Sequence, residues 1–200
     1  THLLKRQLNV PNSKTKPSIG PVVFDLETNG LLNDATQIHC IVLHWLEEDR
    51  TEIFSDQPYA KNPKDLPMGS NYSITTAISH LEVADTIIGH NIIGFDIPII
   101  KKLYPYFNPS GTIVDTLLLS RLYHPNLFDI DKNRNWKHMP LQLYGRHSLE
   151  SYGYRLGEYK GNFAKTTDWS EWSQEMQDYC VQDVVVTNKL CKHFLPYLIG

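Results

Sequence analysis

The stretch "VVFDLETNGLL", residues 22–32, places two carboxylates, Asp25 and Glu27, in an otherwise apolar run that predicts a buried β-strand. Because residues two apart on a strand point to the same side, both carboxylates lie on one face. Carboxylates about 7 Å apart repel each other, and their burial is costly unless a cation compensates the charge. A hard divalent cation such as Mg²⁺ or Mn²⁺ would do so. The alternative is a strand end whose acids reach solvent beside the Asn29-Gly30 turn.

A second acidic motif follows a later strand, in "GHNIIGFDIP" at residues 89–98. Here a short buried strand ends, the chain turns, and Asp96 opens a helix. Open α/β sheets place their sites at the carboxyl ends of strands, which is where Asp96 lies. Alternatively, Asp96 is simply an acid favoured by the positive N-terminal end of its helix.

A third motif, "YCVQDVVVT" at residues 179–187, lies in the longest predicted helix. Tyr179 and Asp183 are four residues apart and therefore share one helical face. That face is flanked by apolar side chains, so a buried aspartate there calls for a partner. A solvent-facing aspartate beside a tyrosine with a hydrated hydroxyl is the equally open alternative.

The rest of the chain predicts an α/β domain with a mixed sheet. Alternating and continuous apolar runs predict strands over 21–29, 36–46, 50–56, 85–91 and 111–116. Helical periodicity predicts helices over 73–84, 94–104, 117–124, 148–156 and 173–198, and residues 125–146 read as a loop. Three meander strands followed by βα units imply a mixed sheet with helices packed on it.

Composition indicates an ordinary globular chain of one domain. The 200 residues are 41% hydrophobic and carry a net charge of −3, which argues against a generally basic nucleic-acid binder but not against a local patch. The best basic-aromatic patch is residues 131–147, with Lys132, Arg134, Trp136, Lys137, Tyr144 and Arg146. Such a patch suits a single strand, although a solvated loop is an equal alternative.

Cysteine usage and the termini point to a reduced, cytoplasmic setting. The three cysteines have no CxxC spacing, and their odd number argues against a disulfide framework. His39-Cys40 and Cys191-x-His193 lack a matching second pair for zinc. No apolar run is long enough to predict a membrane span. Residues 1–20 predict a basic N-terminal arm before the domain at 21–200.

Taken in order, the three acidic motifs resemble the DEDDy branch of the DEDD exonuclease superfamily, which has a ribonuclease-H-like fold. "DTLLLSRLYHPNL" (115–127), "HSLESYGYRLGEYKG" (147–161) and "MQDYCVQDVVVT" (176–187) are further similar to the exonuclease region of family A polymerases from short-tailed bacteriophages. The resemblance implies a mixed five-stranded sheet flanked by helices and a 3′→5′ exonuclease activity. It also implies a DNA polymerase in the same or a separate chain.

The resemblance assigns roles to five residues. Asp25, Glu27 and Asp183 match ligands of one divalent metal ion, and Asp25 would bridge to a second ion that Asp96 contacts through water. Tyr179 would orient the attacking water. The implied cofactors are two ions of Mg²⁺ or Mn²⁺, about 3.5–4 Å apart.

Contacts with the substrate are implied for four more residues. Thr28 and Leu31 match positions that meet the terminal nucleotide, and Asn91 and Phe95 match the recurring Asn and aromatic residue of the second motif. Core packing is the alternative for Leu31 and the preferred interpretation for Phe95. Asp115, after a buried strand, is interpreted as the cap of the next helix.

We therefore expect a metal-dependent exonuclease that releases nucleoside 5′-monophosphates from single-stranded or frayed DNA 3′ ends, in proofreading beside a polymerase. One alternative is an RNA exonuclease of the oligoribonuclease or ribonuclease D kind, because the acidic motifs do not distinguish the sugars. The other is a non-catalytic module that binds nucleic acid or a polymerase.

Overall fold

A single mixed sheet organises the protein. The computed structural model describes residues 19–57, 73–134, 136–158 and 168–199. Its strands are β1 (Val22–Thr28), β2 (Ile38–Trp45), β3 (Arg50–Phe54), β4 (Thr86–Gly89) and β5 (Thr112–Asp115). Their order across the sheet is β3-β2-β1-β4-β5. The first three form an antiparallel meander, and β4 and β5 continue the sheet in parallel with β1.

Strand β1 lies at the centre, and its alternating side chains enter two separate cores. Phe24 joins the larger core, which also holds buried residues of the first two helices. Val23 points to the opposite face, into a core with Cys180 and Val184 of the last helix. Since side chains two apart share a face, Asp25 continues the Val23 side. The alternation of β1 therefore directs its carboxylates toward the last helix.

Six α-helices of the described residues flank the sheet, with one 3₁₀ turn at Leu141–Leu143. Ser73, Asp115 and Ser148 cap three of the helices by accepting hydrogen bonds from amides of the first turn. The helices are α1 (Ile74–Val83), α2 (Asp96–Leu103), α3 (Thr116–Tyr123), α4 (Leu127–Arg134), α5 (Leu149–Leu156) and α6 (Gln174–Ile199).

Helix α4 corrects the prediction of a loop over 125–146. Its sequence, "LFDIDKNR", has little amphipathic character, so periodicity does not reveal it. Its anchor is Asp131, which is fully buried and accepts hydrogen bonds from Arg155, Trp136 and the Gly145 amide. The Asp131 oxygens lie 2.9 and 2.6 Å from the Arg155 guanidinium nitrogens, a bidentate pair that fastens α4 to α5.

The predicted fold class and strand order along the chain are confirmed, because the mixed five-stranded sheet flanked by helices is present. The predicted N-terminal arm lies outside the described residues except for Ile19 and Gly20. No helix within the described ranges has the length and apolar character needed to cross a bilayer.

Candidate active site

The end of β1 carries an irregularity where its two acids meet the neighbouring strand. Glu27 pairs with Cys40 of β2, but Thr28 pairs with Ile38. The register between β1 and β2 therefore shifts between Glu27 and Thr28, just before the turn that follows β1. Bulges of this kind twist a strand and redirect its side chains, and they are frequent beside active sites. Asp25 and Glu27 are both half-buried on the face that α6 covers.

Asp96 reaches the same place because β4 separates from β1 early. The two strands pair only through Val22 and Val23 of β1, so amides further along β1 have no strand partner on that side. The Leu26 amide donates to the carboxylate of Asp96 instead. Gly89, the last residue of β4, lets the chain pass close to β1 and to Ile92. A Cβ at this position would stand 3.0 Å from the Phe24 carbonyl oxygen and 2.2 Å from Ile92. Asp96 is 4% exposed.

Helix α6 supplies the remaining two predicted residues. Tyr179 and Asp183 lie one turn apart, and the Tyr179 hydroxyl donates a hydrogen bond to the Asp183 carboxylate. The Trp169 ring stands edge-on to the Tyr179 ring, with centroids 6.3 Å apart. Between the two, Cys180 is fully buried, with its Sγ atom 3.5 Å from Asp25 Oδ2. The spacing predicted from sequence thus faces both acids of β1.

All five predicted residues line one open cleft of about 660 Å³. Asp25, Glu27, Asp96, Tyr179 and Asp183 form its acidic wall. The structure therefore brings together side chains that are up to 158 positions apart in the sequence, from Asp25 to Asp183. Because the five side chains converge on one cleft, the alternative that the acids of the three motifs merely face solvent does not explain their arrangement.

Burial and mutual repulsion disfavour the charged forms of the acidic wall. Burial, followed by the nearby Asp183, Asp96 and Glu27 carboxylates, raises the pKa of Asp25 well above its ordinary value. Burial is also the main cause that raises the pKa of Glu27 well above its ordinary value. Burial raises the pKa of both Asp96 and Asp183 to about 7. Negative charge concentrated in this way favours the binding of cations.

The donors of the acidic wall fit a divalent metal ion. They are carboxylate oxygens from three different elements, the ligands that Mg²⁺ and Mn²⁺ prefer. The ligand atoms of Asp25, Glu27 and Cys180 lie within 4.8 Å of one another. Asp25, Glu27, Asp96 and Asp183 are accordingly the residues that could hold metal ions.

The same cleft is also lined by four residues with basic side chains, here called the basic wall: Arg121, Arg146, His90 and His147. Both arginines are exposed. Burial lowers the pKa of His90 to about 4, and burial together with Arg155 lowers the pKa of His147. The imidazoles are thus neutral at pH 7, and the positive charge of this wall comes from the two guanidinium groups.

A single carboxylate connects the two walls. Asp115 Oδ1 accepts hydrogen bonds from the amides of Asn91 and Leu117, both at 2.9 Å, and Asp115 Oδ2 accepts from the Ile93 amide at 3.1 Å. It caps α3, as the sequence predicts, and at the same time fixes the turn that leads to Asp96. Asp115 is buried, and these three amide hydrogen bonds satisfy its carboxylate oxygens.

Leu31 lies on the turn that follows β1 and is 75% exposed, which excludes the alternative of core packing. The turn is closed on one side by Asn29, whose Oδ1 accepts from the amides of Thr36 and Gln37. Lys102 of α2 closes the other side. Its Nζ donates to the carbonyl oxygens of Leu32, Asn33 and Ala35, at 3.0, 2.8 and 2.8 Å. An exposed leucine is therefore presented on a fixed turn.

Of the other predicted contact residues, Asn91 and Phe95 line the cleft, and Thr28 is not among its lining residues. Thr28 is buried, and its hydroxyl donates to the Gly30 carbonyl at 2.7 Å. Asn91 lines the cleft in a left-handed backbone conformation, φ 62°, which asparagine tolerates better than most residues. Phe95 both packs against the larger core and lines the cleft, so its two proposed roles are compatible.

Sequence reasoning missed three residues of the basic wall: His90, Arg121 and His147. Each is a single polar residue inside or beside a helix or strand, and only the fold brings them together. Of the predicted basic-aromatic patch, Arg146 alone among its named residues lines the cleft. Trp136 instead donates to the buried Asp131, and Arg134 lies over the Trp136 ring at 5.4 Å.

Comparison with known proteins identifies the family. The RNase_H superfamily matches residues 22–195. The chain belongs to this superfamily. It is 33% identical to a DNA-directed DNA polymerase of Escherichia phage T7 over 206 aligned positions, which cover 88% of this chain and 27% of the polymerase. The predicted resemblance to phage polymerases is confirmed, and the chain spans about a quarter of the length of that relative.

Solved structures show the same fold at low sequence identity. Brucella melitensis NrnC with bound Mg²⁺ gives a TM-score of 0.54 at 17% identity, covering 94% of this chain and 77% of NrnC. NrnC bound to pGG gives a TM-score of 0.52 at 16% identity, covering 94% and 87% of the two chains. These similarities confirm the ribonuclease-H-like architecture.

Proposed function

We propose that this superfamily member is a metal-dependent 3′→5′ exonuclease that releases nucleoside 5′-monophosphates from single-stranded or frayed DNA 3′ ends. The observation that carries the proposal is the acidic wall, where buried and half-buried carboxylates from β1, α2 and α6 share one cleft with Tyr179. Such repelling carboxylates favour cation binding, and hydrolysis of a phosphodiester is the reaction that paired cations assist best.

The chain's own residues divide the work of this reaction. Divalent cations held by the four carboxylates would supply a water of lowered pKa and neutralise charge on the phosphate oxygens. Burial and the Asp183 carboxylate raise the pKa of Tyr179. The phenol therefore keeps its proton, and its single O–H, which donates to Asp183 in this structure, would turn to orient water rather than act as a base.

The basic wall gives the cleft its polarity toward nucleic acid. Arg121 and Arg146 line the same cleft as the carboxylates, where they would bind phosphates of the strand next to the scissile one. Leu31 and Phe95 offer apolar surface for the terminal bases, as single-strand binders do. A paired duplex end presents its bases stacked and joined, so a frayed or single-stranded end suits these contacts better.

DNA is proposed over RNA because of the relationship to a phage DNA polymerase, and NrnC bound to pGG supports a nucleic-acid ligand of one kind or the other. The same relationship supports proofreading: the chain would remove mismatched 3′ ends beside a polymerase of family A, in the same or a separate chain. Mg²⁺ or Mn²⁺ is proposed as the cation on the preference of carboxylate ligands.

The decisive experiment uses DNA and RNA of one sequence, labelled at the 5′ end, with Mg²⁺, Mn²⁺ or chelator. Shortening from the 3′ end that chelator abolishes is expected for DNA, and faster for a mismatched duplex end than for a matched one. Asp183→Asn should abolish it, whereas Asp178→Asn, an exposed acid on the same helix, should not. Cleavage of RNA alone would show that the substrate is RNA rather than DNA. Binding of either strand without cleavage would reject the proposed exonuclease activity.

A further inference from the structure

Cys180 stands among the carboxylates of the acidic wall, although the proposed hydrolysis gives it no task. Its Sγ atom lies 3.5 Å from Asp25 Oδ2, and together with Glu27 the three ligand atoms lie within 4.8 Å of one another. The residue is fully buried on the side of α6 that packs against β1. A thiol thus lies beside two carboxylates from a different element.

The Cys180 thiol donates a hydrogen bond to Asp25 across this separation, and the same separation equals the edge of a tetrahedral zinc site, so an ion could replace the thiol proton without moving either atom. Zinc–sulfur bonds of about 2.3 Å and zinc–oxygen bonds of about 2.0–2.2 Å at the tetrahedral angle place the two ligand atoms about 3.5–3.7 Å apart. An octahedral Mg²⁺ site with bonds of about 2.0–2.1 Å places adjacent oxygens only about 2.9 Å apart and has little use for sulfur. The position of Cys180 therefore suits a softer ion.

We propose that Cys180, Asp25 and Glu27 form a binding site for a thiophilic divalent cation, Zn²⁺ or Cd²⁺, which competes with Mg²⁺ for the same carboxylates and inhibits hydrolysis. On binding, the S–H bond breaks, a metal–sulfur bond forms and one proton passes to solvent, with no change of oxidation state. Two carboxylates and one thiolate leave a fourth position open for water. The inhibition rests on the proposed function, but the cation site does not.

A second thiol supports this placement. Cys40 lies opposite Glu27 on β2 and hydrogen-bonds with Cys180, so the Cys180 side chain is held between a sulfur atom and a carboxylate. The third cysteine, Cys191, lies in the same core eleven residues further along α6. Because it is equally buried and reduced, Cys191 provides a matched control for substitution of a cysteine on this helix.

The test uses reduced, chelator-treated protein titrated with Cd²⁺ in excess Mg²⁺, with the ultraviolet charge-transfer absorbance of cadmium–thiolate bonds as the readout. We expect a saturable absorbance in the wild type and in Cys191→Ser. We expect its loss, with at least about a tenfold weaker affinity for Zn²⁺ by calorimetry, in Cys180→Ser and Cys180→Ala. Two substitutions are used because serine leaves a buried hydroxyl, and thermal unfolding of each variant checks folding.

The outcomes separate this site from the exonuclease itself. No absorbance in the wild type, or an absorbance that survives in folded Cys180 variants, would overturn the site even if the protein degrades DNA. Absorbance that depends on Cys180 in a protein inactive with every metal would support the site and reject the function. With both intact, Zn²⁺ should inhibit Mg²⁺-supported cleavage by the wild type more strongly than by Cys180→Ala.

Discussion

On the acidic wall of the cleft, the carboxylates of Asp25, Asp96 and Asp183 are held against the interior on three packed elements, whereas Arg121 and Arg146 of the basic wall extend into solvent. Burial raises the pKa of the acids, whereas the guanidinium groups are exposed to solvent. The first arrangement holds repelling carboxylates close together, which favours the binding of a cation. The second suits contacts with a flexible, repetitive phosphate backbone. Chemistry and guidance of the strand should therefore respond differently to mutation, salt and pH.

The largest effect is expected on the acidic wall itself. Asp25→Asn keeps the shape of the side chain but removes the charge that would bind both cations, so cleavage of single-stranded DNA should fall by about 10³-fold or more. Asp34→Asn, an exposed acid on the following turn, is the control and should retain activity. Single-turnover rates measure both. Wild-type rates for Asp25→Asn would show that the acids of β1 are not the metal ligands.

The acidic wall should destabilise the metal-free protein as the pH rises. Asp96 and Asp183 have a pKa of about 7 in the folded protein, above the value of about 3.9 expected when unfolded. The folded state thus retains protons that the unfolded state releases, and stability is lost between about pH 4 and pH 7. The loss is on the order of a few kcal/mol.

Thermal unfolding in chelator at pH 5 and pH 8 measures this loss. Asp96→Asn should reduce the difference between the two melting temperatures, because a neutral amide releases no proton. Excess Mg²⁺ should reduce it as well, by binding the charged carboxylates of the folded state. A difference between pH 5 and pH 8 that is the same in Asp96→Asn as in the wild type would contradict the repulsion on the acidic wall; the absolute difference also contains buried histidines such as His90, whose lowered pKa acts in the opposite direction.

Removal of the phenol should have an intermediate effect. Tyr179→Phe keeps the packing against Trp169 but cannot donate to Asp183 or to water, so kcat should fall about 10- to 100-fold. The affinity for Mn²⁺, measured by calorimetry, should change far less than in Asp183→Asn. An unchanged kcat at saturating Mn²⁺, together with a weakened affinity for Mn²⁺, would show that the phenol supports Asp183 rather than the attacking water.

On the basic wall, substitutions should act on substrate binding rather than on the chemical step. Arg121→Gln and Arg146→Gln should each raise KM about 5- to 10-fold with little change in kcat, and should make KM less dependent on salt. Arg50→Gln, an arginine on the edge strand β3, is the control. Equal losses in kcat for both variants would place the arginines in the chemistry and remove the contrast between the walls.

The smallest effect is expected from the turn that presents Leu31. Lys102→Met keeps the length of the side chain but removes its three hydrogen bonds to the turn, so KM should rise about threefold. Lys101→Met, on the neighbouring residue of α2, should have no effect. A combined Leu31→Ala, Lys102→Met variant should be no worse than Leu31→Ala alone if the lysine acts through this leucine.

The acidic wall could be predicted from the sequence because each of its motifs is local. A strand alternates, so Asp25 and Glu27 must share a face, and a helix repeats, so Tyr179 and Asp183 must do the same. The resemblance to a family then placed the motifs together. None of the three motifs had to be recognised from a contact between residues distant in sequence.

Features that depend on long-range contacts escaped prediction. Helix α4 is held by Asp131 and Arg155, which are 24 positions apart, and no window of sequence shows that pairing. Arg121 reads as an ordinary exposed cation until β5 and α3 bring it to the cleft. Likewise, Cys180 reads as a core residue until α6 crosses β1 and places its sulfur beside Asp25.

Helix α2 is only eight residues long, yet its two ends serve different parts of the cleft. It begins at Asp96, in contact with the Leu26 amide, and near its other end Lys102 grips the turn of Leu31. A small slide of this rod along its axis would therefore shift a carboxylate and the adjoining turn in the same direction. The proposed contact with the terminal nucleotide at Leu31 and the proposed metal ligand Asp96 would therefore move together.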